Sequence, residues 1–301
     1  MLLTDGVTGS QTTIGVFDPA LPGPECRMRP CLQAIEGPGV DALRRCAGAA
    51  GEWAALDEVG YLESGCAAYA DALRQLLQEK RVMAVVRKQA LPLLEELRSQ
   101  PDAFCVDLDA PYGEAGCVIM ASGLGRRFGG NKLLADFGGE PLVMRAIRAT
   151  EGIFRRRVVV TRNGEVAEIC RRAGVEALRH DEPLRSDTVR LGLEAVGDAD
   201  GCLFCPADQP LLRRETVAAL ALAAAAAPGE ILRPCHEGEA GAPVLFPRWA
   251  FGELRSLPAG KGGGYVVARH PDRVRLMPVE DGRELLDADD PAALDRLRAF
   301  L

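Results

Sequence analysis

The stretch Met120-Ala-Ser-Gly-Leu-Gly-Arg-Arg-Phe-Gly-Gly-Asn-Lys132 indicates the fold of this chain more clearly than any other. It follows the apolar residues Cys117-Val-Ile-Met120, which predict a short buried strand. The loop after that strand holds four glycines and three cations. Glycines let backbone N–H groups approach a ligand closely, and cations attract phosphate. The sequence therefore predicts a phosphate-binding loop at the end of a strand.

Two common phosphate-binding patterns do not fit the spacing of this loop. If Gly125 and Gly130 were the fixed glycines of a Walker A loop, Asn131 would stand where the lysine is required. The dinucleotide pattern G-x-G-x-x-G fails because Phe128 occupies its last position. An ordinary basic surface loop remains an alternative when the loop is considered alone.

Strand-like and helix-like segments alternate on the carboxyl side of this loop. Further strands are predicted at 157–161, 201–205, 231–233, 244–246 and 274–278, and helices at 141–150, 165–173, 190–196, 217–227 and 291–300. Such alternation predicts an α/β fold with a mainly parallel sheet and helices on both faces. Ligands of such sheets bind at the carboxyl ends of the strands.

The chain of 301 residues has the length of two ordinary domains. A Pro/Gly-containing stretch at 109–116 is a plausible linker, so we expect one domain at 1–110 and another at 117–301. The first region alternates more weakly. Its predicted elements are a strand at 53–56, a helix at 69–79, a buried strand at 82–86, a helix at 91–98 and a short strand at 104–106.

Composition narrows the classes of function and the compartment. A net charge of −7 argues against a nucleic-acid-binding protein, which usually carries a basic face. The longest apolar run, 217–227, is too short to span a membrane. Ten cysteines in a chain of this length favour a reducing compartment, and we expect the cytoplasm. Cys202 and Cys205 are interpreted as structural residues, and the scattered His180, His236 and His270 as ordinary histidines.

A second informative segment is Phe204-Cys-Pro-Ala-Asp-Gln-Pro-Leu211. Asp208 comes just after an apolar strand, where a carboxylate can hold a cation. Magnesium favours one or two carboxylates and completes its shell with water and phosphate oxygens. The sequence therefore predicts Mg²⁺ at Asp208, with Asp287 or Asp289 as a second carboxylate. The alternative is an aspartate that caps the start of a helix.

The two segments together resemble the MobA-like nucleotidyltransferases, which make dinucleotide forms of the molybdenum cofactor. The signature loop of that family corresponds to MASGLGRRFGGNKLL and its A-D-Q-P motif to the segment around Asp208. Four further matches follow in order, at 139–142, 186–192, 241–244 and 287–291, and the loop 260–263 is similar to a G-D-x-G-type loop. The resemblance covers essentially all of 117–301. It implies a doubly wound, Rossmann-like fold of the nucleotide-diphospho-sugar-transferase type.

The resemblance also implies roles for individual residues. Arg127 and Lys132 match the catalytic and triphosphate-binding cations of the family, and Asp208 matches its magnesium ligand. The residues that match nucleotide-binding positions are Ala121, Ser122, Gly123, Gly125, Ser186 and Arg190. Gly125 replaces the usual loop serine, Ala242 the asparagine of G-N-P, and the loop at 260–263 lacks an acidic residue.

Ala121-Ser122-Gly123 and Arg127-Phe128-Gly129 are closer to family members that use CTP than to those that use GTP. The reaction implied is CMP transfer from CTP to a phosphorylated acceptor, with release of pyrophosphate. The acceptor implied is molybdopterin cofactor, and a molybdoenzyme could receive the product. A guanylyltransferase, a sugar- or alcohol-phosphate nucleotidyltransferase and a non-catalytic nucleotide- or cofactor-binding module remain alternatives.

Residues 1–108 resemble the later part of a P-loop nucleoside-triphosphatase family. The match rests on Leu56-Asp-Glu-Val-Gly-Tyr-Leu-Glu63, on the helix after it and on the strand at 82–86. An Asp-Glu pair at a strand end suits magnesium and water in NTP hydrolysis. No Walker A pattern precedes it in the sequence. We therefore expect a smaller, truncated and degenerate α/β domain that serves as a scaffold or binds a partner.

Overall fold

The structure of the protein is a computed structural model that describes residues 1–21, 27–123 and 128–301. The chain divides into two compact units, Met1–Cys105 and Val106–Leu301. No helix within the described ranges is long and apolar enough to cross a membrane.

The first unit is a small α/β body with a core of its own. Its strands are β1 (Leu2–Thr4), β2 (Gln11–Thr13), β3 (Gly15–Phe17), β4 (Met28–Pro30), β5 (Trp53–Val59) and β6 (Arg81–Val86). Its helices are α1 (Leu32–Ala34), α2 (Val40–Gly48), α3 (Tyr61–Ser64), α4 (Ala67–Glu79) and α5 (Pro92–Arg98), with a π-helical turn at Ile35–Gly39. The core between them is built on Leu43, Leu73, Leu76 and Leu94.

Strands β5 and β6 pair in parallel and pack on that core with one face. The prediction of a buried strand at 82–86 is wrong in its burial, because Met83 and Val85 lie on the opposite face and are exposed. An apolar run cannot show whether both faces of a strand are covered. The strand predicted at 104–106 is also wrong: these residues form no strand, and Phe104 and Val106 are exposed.

The Asp-Glu pair of the first unit lies inside β5 rather than beyond its end. Glu58 forms an ion pair with Arg87, with 2.6 Å between Oε1 and Nε. Glu63 is buried, and its carboxylate accepts a hydrogen bond from the Gly60 backbone N–H at 2.9 Å at the start of α3. Glu58 and Glu63 therefore both have structural contacts.

The second unit is larger and is organised around one sheet. Its strands are β7 (Gly116–Ala121), β8 (Arg156–Thr161), β9 (Glu176–Arg179), β10 (Gly201–Pro206), β11 (Ile231–His236), β12 (Glu239–Ala240), β13 (Val244–Pro247) and β14 (Val274–Pro278). Its helices are α6 (Val143–Ala149), α7 (Gly164–Arg172), α8 (Arg185–Val196), α9 (Arg214–Ala226), α10 (Phe251–Arg255), α11 (Gly264–Arg269) and α12 (Pro291–Arg298). Short 3₁₀ turns cover Lys132–Leu134 and Gly282–Leu285.

The strand order of this sheet is β12-β11-β13-β10-β7-β8-β9, with β14 beside β11. The neighbours β10, β7, β8 and β9 are parallel, and β13 is antiparallel to both β10 and β11. The predicted α/β fold, with a mainly parallel sheet of the nucleotide-diphospho-sugar-transferase type, is confirmed.

Alternation along β7 divides the apolar side chains between two cores. Cys117, Ile119 and Ala121 face the core that also contains α6, α7, α9 and α12. Val118 faces the other core, which contains α8, α10 and α11. The sheet is therefore covered by helices on both faces, as a parallel sheet requires.

Helix α8 lies unusually close to β7 because two glycines carry no side chain at the contact. A Cβ at Gly192 would be 2.4 Å from Cγ1 of Val118, and a Cβ at Gly116 would be 2.2 Å from Cγ1 of Val196. Both distances are far below van der Waals contact. These glycines therefore set the distance between the helix and the sheet.

The order of the strands also creates a switch point in the sheet. From β7 the chain proceeds through β8 to β9 on one side and then returns to β10 on the other side of β7. The order of the strands therefore reverses between β7 and β10. Such a switch point leaves the crevice in which doubly wound folds bind their ligands.

Candidate active site

The two segments that carry the sequence motifs leave the sheet side by side. Strands β7 and β10 are parallel neighbours, with Met120 opposite Pro206 in the register. The backbone N–H of Ala207 donates a hydrogen bond to the carbonyl oxygen of Met120 at 3.3 Å. The glycine-rich loop and Asp208 therefore start from the same edge of the sheet.

Lys132 forms the centre of a charged cluster at this edge. Its Nζ lies 2.6 Å from Oδ2 of Asp208 and 3.3 Å from Oδ1 of Asp289. Burial alone would lower the pKa of the lysine, but hydrogen bonds and charge from the two carboxylates raise it above the ordinary value. The ammonium is therefore held in its charged form.

The side chain of Lys132 is not the exposed loop cation that its sequence context predicts, since the residue is only 9% exposed. Asn131 accepts a hydrogen bond from the Leu133 backbone N–H at 3.0 Å and so starts the 3₁₀ turn that carries the lysine. That turn directs the side chain into the protein, where Asp208 and Asp289 balance its charge.

The segment Asp287-Ala288-Asp289 is bound to the loop after β10. The Ala288 backbone N–H donates to the carbonyl oxygen of Asp208 at 2.8 Å. Gln209, which is almost fully buried, donates through Nε2 to the carbonyl oxygen of Leu285 at 3.2 Å, and its side chain lies near the carboxylate of Asp287. The glutamine of the A-D-Q-P motif therefore joins the two acidic segments, a role that the sequence analysis did not assign.

The carboxyl group of Asp287 has a raised pKa, although the residue as a whole is exposed. Shielding of the carboxyl group from water is the main cause, and the like charge of Asp208 is the second. A carboxylate whose pKa is raised by a neighbouring like charge gains from a cation that both groups share. Asp208 and Asp287 therefore suit a divalent metal ion whose shell is completed by phosphate oxygens and water.

No group of three or more His, Cys, Asp or Glu side chains arranged for a metal ion occurs among the described residues. A site made of protein ligands alone is therefore not found within those ranges. Two carboxylates are enough for magnesium that is bound together with a nucleotide. The carboxylates of Asp208 and Asp287 therefore fit a metal ion that binds together with the phosphates of a nucleotide.

Ser122, at the start of the glycine-rich loop, is fixed by two contacts. Its Oγ lies 3.1 Å from the carbonyl oxygen of Val160 and 2.8 Å from Nε2 of His180. The carbonyl can only accept, so the serine hydroxyl donates to it and accepts from Nε2–H of His180. This assigns the histidine tautomer and leaves its buried Nδ1 as an acceptor without a partner in the described structure.

His180 is a site residue that the sequence analysis interpreted as ordinary. It follows β9, a strand that was not predicted because Glu176-Ala-Leu-Arg179 contains too few apolar residues to give a signal. Burial lowers the pKa of His180, and the positive charge of Arg162 lowers it further. The imidazole is therefore neutral at physiological pH.

Two other predicted nucleotide-binding residues lie on α8. The Ser186 hydroxyl accepts a hydrogen bond from the Gly260 backbone N–H at 3.2 Å, which joins the helix start to the loop 260–263. Arg190 forms an ion pair with Glu194 one turn later, with 3.2 Å between Nη1 and Oε1. Both side chains therefore contact other residues of the protein. The nucleotide-binding role of Ser186 and Arg190 stays a prediction.

Among the remaining predicted residues, Ala121 is buried and its carbonyl oxygen accepts from the Thr161 hydroxyl at 3.0 Å. Gly123 is exposed at the beginning of the loop. Gly125 and the predicted catalytic Arg127 lie outside the described residues.

Comparison with solved structures supports the fold of the second unit. Rv0371c from Mycobacterium tuberculosis H37Rv is 27% identical, with a TM-score of 0.53 over 62% of this chain and 98% of that one. A nucleotidyl transferase from Methanothermobacter thermautotroptrophicus is 20% identical, with a TM-score of 0.54 over 62% and 97% of the two chains. A CMP:2-keto-3-deoxy-manno-octonic acid synthetase complexed with CTP is 18% identical, with a TM-score of 0.53 over 62% and 98%. The last two similarities show a common fold.

Comparison with family models agrees with both sequence resemblances. The model of an NTPase family matches residues 25–111, most of which belong to the first unit. The model described as the MobA-like NTP transferase domain matches residues 117–274, more than half of the chain, and includes β7, the glycine-rich loop, Lys132 and Asp208. The second unit is thus a nucleotidyltransferase domain, and the chain belongs to the MobA-like NTP transferase family.

Proposed function

We propose that this protein transfers CMP from CTP to a phosphorylated small molecule, the molybdopterin cofactor, and releases pyrophosphate. The observation that carries the proposal is the cluster of Lys132, Asp208 and Asp287 at the switch point of the sheet. It combines a cation for phosphate with carboxylates for a metal in the crevice between the loops after β7 and β10. Nucleotidyl transfer needs both kinds of charge at one place.

The main contribution of the protein to this reaction is to position charged groups around the phosphates. A phosphate oxygen of the acceptor attacks the α-phosphorus of CTP, and the bond from that phosphorus to the bridging oxygen of the β-phosphate breaks. Negative charge grows on the α-phosphate and on the departing pyrophosphate, and Lys132 together with Arg127 would stabilise it. Magnesium held by Asp208 and Asp287 would supply further positive charge. A phosphate acceptor is already ionised, so the reaction needs no general base.

The residues around Ser122 support a preference for CTP. A serine in place of glycine narrows the space beside the loop, and its hydroxyl is fixed by Val160 and His180. A smaller pocket favours a pyrimidine.

We propose that the product passes to a molybdoenzyme in the cytoplasm. A reducing compartment agrees with the nine cysteines of the described residues, all of which are free. For the domain predicted at residues 1–110, we propose a degenerate role without NTP hydrolysis. The ion pair of Glu58 with Arg87 and the cap formed by Glu63 give structural functions to acidic residues of its motif.

The test is pyrophosphate release by the full chain with Mg²⁺ and molybdopterin cofactor, with CTP, GTP and UTP supplied in turn. We expect release that depends on both acceptor and metal and is fastest with CTP. An Asp208→Asn chain is the matched control, because it keeps the shape of the side chain and removes its charge. Equal rates with GTP would contradict the choice of base. Release that requires a sugar or alcohol phosphate would contradict the choice of acceptor.

A further inference from the structure

Three charged side chains from distant parts of the chain meet in the cluster of Lys132, Asp208 and Asp289. We propose that Lys132 occupies Asp208 in the nucleotide-free protein in place of a divalent cation. We further propose that Asp289 is a positioning residue that takes over the ammonium group when the metal and nucleotide bind. The part of this inference that concerns nucleotide binding rests on the proposed function. The part that concerns competition between Lys132 and a metal ion does not depend on it.

The contact between Lys132 and Asp208 competes with a metal ion for the same carboxylate. The two charged atoms, Nζ and Oδ2, lie only 2.6 Å apart. Magnesium binds a carboxylate oxygen at about 2.0–2.1 Å and keeps an octahedral shell around itself. An ammonium group so close to the same carboxylate repels the ion and holds one of the two oxygens that the ion could bind. The affinity of Asp208 for a metal ion should therefore increase when the lysine leaves it.

Asp289 offers the lysine a second partner without a large movement. Its Oδ1 is already 3.3 Å from Nζ, whereas its own side chain is 59% exposed and so can adjust. Lys132 itself is buried, and a buried charge without a partner is strongly unfavourable. The displaced ammonium can stay paired with Asp289 and remain beside the glycine-rich loop, where phosphates are expected.

This arrangement has a consequence for the order of binding. A metal ion alone has to displace Lys132 from Asp208, and no phosphate oxygens are then present to bind the ion or the displaced ammonium. A nucleotide supplies phosphates that attract the ammonium away from Asp208. Metal and nucleotide should therefore bind together, and each should be weak alone, which is coupling between two ligands through one side chain.

The experiment measures Mn²⁺ binding to the full chain without nucleotide, from the electron paramagnetic resonance signal of the free ion. For Lys132→Met we expect affinity for Mn²⁺ to rise about tenfold or more, since a competing charge has been removed. Lys261→Met is the matched control, because it removes the same charge from an exposed loop that makes no ion pair with Asp208 or Asp289 in the described part of the chain, and its Mn²⁺ affinity should stay unchanged.

The role of Asp289 is tested by a double-mutant cycle. If it receives the displaced lysine, Asp289→Asn should weaken Mn²⁺ binding in the Lys132 chain and have a clearly smaller effect in the Lys132→Met chain. If Asp289 were itself a metal ligand, the loss would be equal in both backgrounds, and the proposed role would be wrong. Thermal melting verifies the fold, and Lys132→Gln replaces Lys132→Met if the latter does not fold.

Unchanged or weaker Mn²⁺ binding by the Lys132 variants would overturn the proposal even if the wild-type chain releases pyrophosphate normally. Conversely, tighter binding by these variants in a chain that never uses CTP would uphold the proposal and contradict the proposed function. The two hypotheses can therefore fail separately.

Discussion

The ammonium group of Lys132 and the carboxylate of Asp208 lie 2.6 Å apart, although they belong to loops that follow different strands. The parallel pairing of β7 and β10 brings these loops together at one edge of the sheet. Around this pair the structure assembles Asp287, Asp289 and Gln209. The chemistry of the site therefore depends on the strand order rather than on any one motif.

Lys132→Met should reduce turnover by about 100- to 1000-fold, which is typical for the loss of one group that stabilises charge in a transition state. The fold should survive, because the carboxylates left behind on Asp208 and Asp289 are both in contact with water. Steady-state pyrophosphate release measures the loss of turnover, and thermal melting checks that the fold survives. Lys132→Arg keeps the charge and should retain part of the activity. Near-normal release by Lys132→Met would show that this lysine does not act on the triphosphate.

Gly192→Ala should destabilise the second unit by about 1–3 kcal/mol. The added Cβ would lie 2.4 Å from Cγ1 of Val118, a fully buried residue of β7 that has no room to move. This clash outweighs the better helix propensity of alanine, which is worth about 1 kcal/mol. Gly164→Ala is the control: Gly164 also belongs to a helix, as the first residue of α7, and has nothing within 4 Å of the added atom. Equal melting temperatures of the two variants would refute the close-approach argument.

His180 should make the wild-type protein sensitive to mild acid. Its pKa in the fold is lowered, first by burial and then by Arg162, whereas in the unfolded chain the group titrates near its ordinary value of 6.5. Below that pH the unfolded chain binds a proton that the folded protein resists, so stability decreases as pH falls. The nearby acidic groups that oppose the shift are Asp187, Glu182 and Asp181.

The check compares melting temperatures of the wild type and His180→Asn at about pH 7.5 and about pH 5.5. The wild type should lose more stability than the variant between the two values. A larger loss in the variant would mean that His180 is charged in the fold. The tautomer assigned from Ser122 would then be wrong.

The first unit should not hydrolyse ATP or GTP. In the Asp208→Asn chain, in which the transferase site is inactive, no hydrolysis above background is expected, and Glu58→Gln should change nothing. The physical reason is that the sequence has no Walker A loop to hold the phosphates and that Glu58 is paired with Arg87. Hydrolysis that disappears in the Glu58→Gln variant would contradict the degenerate role.

Much of the second unit can be predicted from sequence because its central strands are short apolar runs that are followed two residues later by glycine or aspartate. Strands β7 and β10 are examples, and their parallel pairing follows from the helices between them. Strand β9 could not be predicted, since it is polar and lies at the edge of the sheet. His180 was missed together with it.

The burial of Lys132 could not be predicted for a different reason. Local sequence shows a cation in a glycine-rich loop, which predicts exposure. The two carboxylates that make burial possible come from residues 208 and 289, and a single sequence does not show which distant residues meet. The same limit applies to β6, where an apolar run indicates a strand but not how many of its faces are covered.

The most direct test of the account is a crystal structure of the full chain with Mn²⁺ and a non-hydrolysable CTP analogue, in which the anomalous signal locates the metal. We expect the ion on the carboxylate of Asp208, with the triphosphate beside the glycine-rich loop and Lys132 turned towards the phosphates. The Asp208→Asn chain should bind the analogue more weakly than the wild type only when the metal is present. An ion beyond water-mediated reach of Asp208 would contradict the proposed mechanism, even with the nucleotide in the predicted crevice.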